Sequence, residues 1–231
     1  MDERKRIAIY GGTFDPVHCG HLQIARTVSQ LFAIDQFLFM PALIAPHKVD
    51  REVSSAFHRY AMLSLATEHD ERLLVSTYEL AGRERQYTVD TLGHFGQEFG
   101  DAVELFFVMG LDSWAEITTW REWQRLPTLA NLIVVTRPGF DFSVAEVGSE
   151  IASAVRDVRG RDNEIAGLIE TDGKLIFITD AVHLDISATG VRKAAIAGEI
   201  EKLNELVPHE VGEYIRKYRL YRKKHEAKLK H

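Results

Sequence analysis

The sequence predicts an α/β protein in which helices cover both faces of a doubly wound parallel sheet. Short runs rich in β-branched and aromatic residues alternate with segments whose apolar residues recur every three or four positions. This alternation is typical of strand–helix–strand units, which place consecutive strands in parallel. The chain has 231 residues, 45% of them hydrophobic, which are the length and composition of a globular domain.

Six short apolar runs are predicted as the strands of this sheet. They are residues 6–10, 37–40, 73–77, 103–109, 131–136 and 174–179. Because right-handed crossovers join parallel strands, the loops that follow the strands should lie at one edge of the sheet. Ligands of doubly wound sheets bind at that edge, so these loops are where a functional site is expected.

Five further segments carry the periodicity of helices that bury one face. They are residues 21–32, 57–68, 89–99, 188–197 and a segment from Pro208 to about Leu220. In the first segment Leu22, Ala25 and Val28 recur at helical spacing. Gly198 directly follows the segment 188–197, as is typical at the end of a helix. Strands and helices together predict a single domain over residues 1–231.

Two segments depart from this pattern. Residues 141–173 are interpreted as an insertion before the last strand, with a helix at 144–158 and a surface turn at 159–163. Residues 216–231 form a basic C-terminal tail, which we predict to be a solvated helix end. We expect neither segment to touch a functional motif.

The charge distribution limits the class of partner. The net charge is −6, but residues 216–231 hold eight of the 28 Lys and Arg residues, which leaves the rest of the chain strongly acidic. An acidic body is a poor platform for nucleic acid, so no nucleic-acid partner is predicted.

The single cysteine, Cys19, excludes an internal disulfide. Since no apolar run has the length of a signal peptide or a membrane span, we expect a cytoplasmic protein with no membrane partner.

The first strand is followed by Gly-Gly-Thr-Phe-Asp-Pro-Val-His-Cys-Gly-His, residues 11–21, which open the first helix. Amides at a helix start lack intrahelical acceptors, and the helix dipole favours anions there. The two leading glycines allow a ligand to approach the backbone, and Gly20 lets the chain pass tightly into the helix. His18 and His21 can both face a phosphate held at this point and stabilise charge on its phosphorus centre.

The two histidines admit other interpretations. A His-x-Gly-His string is short enough to arise by chance. As metal ligands, for example in a zinc hydrolase, His18 and His21 would lack a third ligand at a motif-like spacing. The glycine spacing differs from the dinucleotide fingerprint Gly-x-Gly-x-x-Gly, which argues against a nicotinamide-dependent dehydrogenase.

The whole string, in this position, resembles the signature of the nucleotidyltransferase superfamily, whose members transfer a nucleotidyl group from ATP or CTP to a phosphate or hydroxyl acceptor. The resemblance requires a second phosphate-binding motif after the last strand. Residues 186–192, Ile-Ser-Ala-Thr-Gly-Val-Arg, occupy that place. Ser187 fits a helix N-cap, and its hydroxyl and that of Thr189 can hold phosphates beside free amides. Arg192 can bridge two phosphate oxygens.

Further blocks of residues between these motifs narrow the resemblance from the superfamily to one family within it. They lie, in order, at residues 41–48, 59 with 62–63, 87–92, 107–113, 119–120 and 137–139. The series is similar to the bacterial nicotinate-nucleotide adenylyltransferases over residues 6–220. Two positions depart from the pattern of that family: Gln86 stands where serine is usual, and Ala188 replaces a second serine.

This resemblance implies a Rossmann-like nucleotidyltransferase fold and an adenylyl-transfer reaction. AMP would pass from ATP to nicotinate mononucleotide by direct in-line attack, giving deamido-NAD and pyrophosphate, with Mg²⁺ arriving with ATP. The implied catalytic residues are His18, His21, Lys48 and Arg192. The implied ATP-binding residues are Gly11, Gly12, Thr13, Phe14, Gly20, Gly110, Asp112, Ile186, Ser187 and Thr189. The implied residues for nicotinate mononucleotide are Tyr87, Thr88, Trp120 and Arg137, and no residue is assigned as a metal ligand.

Several alternatives stay open on the residues alone. The two pyridine mononucleotides differ by one group, so nicotinamide mononucleotide, or either mononucleotide, is the close alternative acceptor. A catalytically silent nucleotide-binding regulator on the same fold is another hypothesis. Such a protein would be expected to lose His18, His21 or Arg192, and all three are present. Homo-oligomer formation is also left open.

Overall fold

The computed structural model describes residues 4–44, 53–82, 85–136, 143, 147–160, 165–169, 173–180 and 186–222. Its strands are β1 (Lys5–Gly12), β2 (Gln36–Pro41), β3 (Leu73–Val75), β4 (Val103–Gly110), β5 (Asn131–Val135), β6 (Val155–Asp157) and β7 (Ile176–Thr179). They form one sheet in the order β3-β2-β1-β4-β5-β7-β6. All neighbouring pairs run parallel, which confirms the predicted fold class.

Helices connect these strands. They are α1 (Cys19–Leu31), α2 (Ala56–Thr67), α3 (Tyr78–Ala81), α4 (Thr88–Phe99), α5 (Leu111–Ala115), α6 (Leu126–Leu129), α7 (Gly148–Ser153), α8 (Ile165–Ile169), α9 (Ala188–Ala197), α10 (Ile200–Leu206) and α11 (His209–Lys217). Short 3₁₀ helices lie at Gly100–Ala102, Ile117–Thr119 and Trp123–Arg125. Among the helices of the described residues, none combines the length and the apolar character that crossing a bilayer requires.

The sheet buries both of its faces, as the central strand β1 shows. Side chains alternate along a strand, so Ala8 and Tyr10 point to one face while Ile7 and Ile9 point to the other. On the face of Ala8 pack α1, α2, α9, α10 and α11, and on the face of Ile7 pack α4, α5 and α6. Burial on both faces explains why the strands appear in the sequence as continuous apolar runs.

The register places the ends of β1 and β4 side by side. Tyr10 pairs with Val108, so Gly12 and Gly110 end the two strands at the same level. The chain leaves β1 toward β2 on one side and later returns to β4 on the other side. The crevice outside these two strand ends is therefore a topological switch point, where doubly wound sheets bind their ligands.

The segment at 141–173 differs from its prediction. The helix expected at 144–158 is shorter, because α7 ends at Ser153 and Val155–Asp157 form the edge strand β6, paired with β7. β3, of the same length, is Leu-Leu-Val, whereas Val-Arg-Asp contains one apolar residue, so β6 shows no apolar run. The helical prediction is therefore wrong over these residues, which extend the sheet.

The C-terminal region also differs from its prediction. The stretch between the last two predicted helices contains α10, and the helix expected to run to about Leu220 ends at Lys217. Residues 218–222 continue as turns, so this part of the basic tail is not helical. The rest of the tail, 223–231, lies outside the described residues. The four- or five-residue helices α3, α5 and α6 are too short to show a period and were not predicted.

A buried polar group joins the amino ends of β1, β4, β5 and β7, at the edge opposite the crevice. Asn131 donates from Nδ2 to Oε1 of Glu104 over 3.1 Å, and its Oδ1 accepts from the backbone N–H of Leu175 over 2.8 Å. Nε of Arg6 lies 3.5 Å from Oε2 of Glu104. All three side chains belong to residues at most 9% exposed, so each polar atom depends on protein partners.

Asn131→Ala is expected to lower the free energy of unfolding by about 2–3 kcal/mol, because it takes a partner from a buried carboxylate and from a buried amide. Urea denaturation followed by circular dichroism measures the change. Gln124→Ala, at an exposed position, is the control and should change the free energy by less than about 0.5 kcal/mol. Equal denaturation midpoints for the two variants would contradict the role of Asn131.

Candidate active site

The crevice at the ends of β1 and β4 contains the loop that links β1 to α1. Phe14 in this loop is 3% exposed and has a φ of 50°. Gly12 packs directly on the Phe14 ring, since a Cβ at Gly12 would lie 2.8 Å from Cζ of that ring. A Cβ at Gly11 would lie 3.4 Å from Cε2 of Phe107 in β4. The glycines of the first motif therefore allow close packing between the loop, its own aromatic ring and the neighbouring strand.

His18 and His21 stand together at the start of α1. His18 is the N-cap residue, and its backbone N–H donates to Nδ1 of His21 over 3.2 Å. This bond uses Nδ1 as an acceptor, so we assign the proton of neutral His21 to Nε2. The two rings stack with 3.7 Å between their centroids and 25° between their planes. The pair is thus preorganised, with the Nε2–H of His21 as a donor beside the first amides of the helix.

Gly20 sits where the two motifs touch. A Cβ there would lie 3.1 Å from Nδ1 of His18 and 3.7 Å from Cβ of Ile186, the first residue of the second motif. The His18 ring has little room to yield, because it is buried and stacked on His21. Glycine at this position therefore has a packing reason, as the sequence predicts.

Arg192 of α9 joins the second motif to the first loop. Its Nη1 donates to the backbone oxygen of Asp15 over 2.6 Å, and its Nη2 donates to Oγ1 of Thr189 over 2.8 Å. Ser187 is the N-cap of α9, and its Oγ accepts from the N–H of Gly190 over 3.2 Å. Two segments 177 residues apart in the chain thus form one site.

Arg59 and Tyr221 hold the same loop, and neither is among the residues predicted for the site. Arg59 is 1% exposed and donates to the backbone oxygens of Thr13 and Ala42 over 2.8 and 2.7 Å. The Tyr221 hydroxyl donates to Oδ1 of Asp15 over 2.9 Å, which corrects the expectation that the tail touches no motif. In the sequence, an arginine within the apolar pattern of α2 was a signal for the contacts of Arg59. No local pattern signals the contact between Tyr221 and Asp15.

Trp120 packs on the opposite face of the sheet from the two histidines. Its ring meets that of Phe107 edge to face, with 6.4 Å between the centroids, and Phe107 also lies against Gly11. Nε1 of Trp120 is buried and has no hydrogen-bond acceptor within the described residues. Phe107 therefore links Trp120 to the first motif through the sheet.

Tyr87 is the N-cap of α4, and Thr88 is the first residue of that helix. The Tyr87 ring has two guanidinium carbons near it, that of Arg85 at 5.1 Å and that of Arg121 at 4.9 Å. Arg121 is also paired with Asp90 at 3.5 Å. The start of α4 combines free amides with these cations, so it suits a negatively charged group.

The remaining predicted residues fall into two groups. Gly110 ends β4 and is the N-cap of α5, and Asp112 is exposed in the first turn of that helix. Both lie at the same edge of the sheet as Gly12. Lys48 and Arg137 lie outside the described residues.

The side chains near the crevice favour positioning and charge stabilisation as the chemistry of this site. Burial raises the pKa of the Cys19 thiol, so the thiol is protonated at neutral pH and is a weak nucleophile. In the described part of the chain, the one group of three side chains able to hold a metal ion is Glu68, His69 and Glu210. None of these belongs to either motif. The site offers cations and N–H donors, which suit a phosphate chain.

The chain matches the Cytidylyltransferase-like family over residues 9–194, a range that includes both motifs. It is 39% identical to the nicotinate-nucleotide adenylyltransferase of Chromobacterium violaceum over 220 residues, which cover 94% of this chain and 99% of the relative. It is 35% identical to a protein of the same name from Thermoanaerobacter sp. (strain X514) over 226 residues, which cover 98% and 99% of the two chains.

A solved structure is similar in fold. The nicotinic acid mononucleotide adenylyltransferase of Plasmodium falciparum, complexed with NaAD, matches with a TM-score of 0.68 at 20% identity, covering 94% of this chain and 97% of that one. The likeness to that structure concerns the fold alone. The sequence matches extend over nearly the whole length of both partners, and they show that the chain belongs to the nicotinate-nucleotide adenylyltransferase family.

Proposed function

We propose that the chain transfers AMP from ATP to nicotinate mononucleotide, giving deamido-NAD and pyrophosphate. An oxygen of the 5′-phosphate of the mononucleotide attacks the α-phosphorus of ATP, where a new P–O bond forms. The bond from the α-phosphorus to the oxygen that bridges it to the β-phosphorus breaks, and pyrophosphate leaves. Such a transfer needs no covalent enzyme intermediate, which agrees with the protonated thiol of Cys19.

The observation that carries the proposal is the contact between the two motifs. Arg192 donates to the loop that precedes His18, so its guanidinium and the start of α1 are close enough to reach one nucleotide. A triphosphate held there would meet helix amides, an imidazole donor and an arginine together. Each of these groups stabilises phosphate oxygens.

The two histidines act on the α-phosphate and the leaving phosphates. His21 donates from Nε2, because its Nδ1 accepts the backbone N–H of His18. Charge on the phosphate oxygens increases toward the transition state, so a fixed donor stabilises the transition state more than the ground state. Arg192 and Lys48 neutralise the triphosphate.

ATP enters as its Mg²⁺ complex, with the ion held chiefly by phosphate oxygens and water. The proposed ATP-binding residues are Gly11, Gly12, Thr13, Phe14, Gly20, Gly110, Asp112, Ile186, Ser187 and Thr189. Among these, Gly110 and Asp112 hold the ribose, whose hydroxyls can donate to the carboxylate. ATP as the donor also agrees with the cytoplasm as the compartment of the reaction.

The acceptor lies on the side of β4 that carries Trp120. The indole stacks on the pyridinium ring, where cation–π attraction adds to burial. Thr88, at the start of α4, donates to the nicotinate carboxylate, and Tyr87 and Arg137 complete the site. Since a helix start favours an anion over a neutral amide, this arrangement supports nicotinate mononucleotide over nicotinamide mononucleotide.

The function is tested by pyrophosphate release from ATP and Mg²⁺ with each mononucleotide under identical conditions. We expect release with nicotinate mononucleotide to exceed release with its amide by about tenfold or more, the effect of one well-placed carboxylate contact. ATP without an acceptor gives the background rate. Equal rates would indicate dual specificity, and background rates with both acceptors would contradict adenylyl transfer.

His18→Ala and His21→Ala are each expected to lower kcat by at least ~10²-fold, because each removes a donor aimed at the developing charge. Steady-state kinetics measures the loss, and thermal unfolding checks that each variant is folded. His69→Ala, at an exposed position of the same residue type, should keep the normal kcat. A near-normal kcat in both test variants would exclude the proposed roles.

Trp120→Ala is expected to raise the KM for nicotinate mononucleotide by about tenfold or more, since stacking on a cationic ring is lost. The KM for ATP should change by less than about twofold. Trp123→Ala is the matched control, because Trp123 packs on the same core cluster and has no proposed contact with substrate. Equal effects on the two KM values would indicate that Trp120 serves packing alone.

A further inference from the structure

After α11 the chain returns to the loop between β1 and α1, residues 13–18, where the proposed function places ATP. Residues 218–222, the C-terminal turn, bring the hydroxyl of Tyr221 to 2.9 Å from Oδ1 of Asp15, a residue 206 positions earlier. Arg219 and Tyr221 have φ values of 54° and 67°. This left-handed conformation is unfavourable for residues that carry a Cβ, so the surrounding contacts must hold it.

Asp15 connects Tyr221 to the candidate active site. The residue is 1% exposed, its Oδ1 accepts from Tyr221, and its backbone oxygen accepts from Nη1 of Arg192 over 2.6 Å. Asp15 also lies three residues before His18, the N-cap of α1. A shift of Asp15 would therefore move Arg192 and the start of α1 together.

The surroundings of Tyr221 fix the direction of its hydrogen bond with Asp15. Burial raises the pKa of Tyr221, and the nearby Asp15 carboxylate raises it further, so the hydroxyl keeps its proton and donates. Burial lowers the pKa of the Arg59 guanidinium, and the Asp15 carboxylate opposes that effect. Arg59 also anchors the loop through the backbone oxygen of Thr13. The loop is held by two groups from outside both motifs.

We propose that Tyr221 is a positioning residue for adenylyl transfer, whose hydroxyl holds Asp15 so that Arg192 and His18 reach the triphosphate in a productive arrangement. The inference rests on the function proposed above and adds a residue from the C-terminal turn. Tyr221 acts through Asp15 and not on substrate. Because the acceptor residues Trp120 and Thr88 belong to elements on the other face of the sheet, the effect should fall on kcat more than on the KM for the mononucleotide.

Tyr221→Phe tests this role because it removes the hydroxyl and keeps the ring. We expect kcat to fall about tenfold, since small displacements of reacting groups reduce the rate strongly, while the KM for nicotinate mononucleotide changes less than about twofold. Tyr218→Phe is the matched control, from the same turn and 49% exposed, and it should keep the normal kcat. Pyrophosphate release measures both quantities.

Hydrogen–deuterium exchange gives a readout that does not depend on turnover. Amides of residues 13–21 should exchange several-fold faster in Tyr221→Phe than in the unmodified chain or in Tyr218→Phe. Asp15→Ala supplies a second variant, which removes the acceptor of the Tyr221 hydroxyl. The loss of kcat in the double variant Tyr221→Phe/Asp15→Ala should be smaller than the two single losses combined, because both single changes break the same hydrogen bond.

Equal kcat values and equal exchange in Tyr221→Phe and Tyr218→Phe would overturn the positioning role. Additive losses in the double variant, or a raised KM for the mononucleotide with unchanged kcat, would also overturn it. If the unmodified chain releases no pyrophosphate with nicotinate mononucleotide, the proposed function fails. The exchange data then decide by themselves whether Tyr221 holds the loop.

Discussion

The hydrogen bond from Arg192 to the backbone oxygen of Asp15 is the contact on which the rest of the site depends. A charged donor makes it stronger than an ordinary hydrogen bond, and it joins residues that only the folded sheet brings together. The sheet order makes this contact achievable, because β7 delivers the chain to α9, which packs on the same face of the sheet as α1. The same bond leaves Arg192 beside the helix start that carries His18, so one interaction joins the two motifs.

The two faces of the sheet carry the residues proposed for the two different substrates. The histidines and Arg192 belong to elements on the face of Ala8, whereas Trp120 and Tyr87 pack with the face of Ile7. The strands between them, β1 and β4, end in glycines at the same level, so ligands bound from the two faces can meet above the strand ends. A reaction between two nucleotides needs such a shared edge, because attacking and leaving groups must lie in line through one phosphorus.

The sequence predicts the elements with strong periodicity and the contacts that belong to local motifs. The strand before Gly11, the helix cap at Ser187 and the crowding at Gly20 all have signals within a few residues, and the structure contains each of them. β6 was missed because its residues, Val-Arg-Asp, do not form an apolar run. The role of Tyr221 was missed for a different reason: its partner lies 206 positions away, and such a pairing arises from the tertiary fold. The functional roles of all the predicted site residues, including Lys48 and Arg137, remain predictions.

The large sequence separations within the site have a consequence for synthesis of the protein on the ribosome. The histidines are made early, but Arg192 and Tyr221 are among the last parts of the described chain to emerge. A nascent polypeptide that has completed β1, α1 and β4 contains Arg59, which contacts the loop between β1 and α1, but still lacks Arg192 and Tyr221. With the proposed roles, the full set of contacts around the ATP site forms only after the chain has been translated through Tyr221, so full activity is expected to follow the folding of β1, α1 and β4.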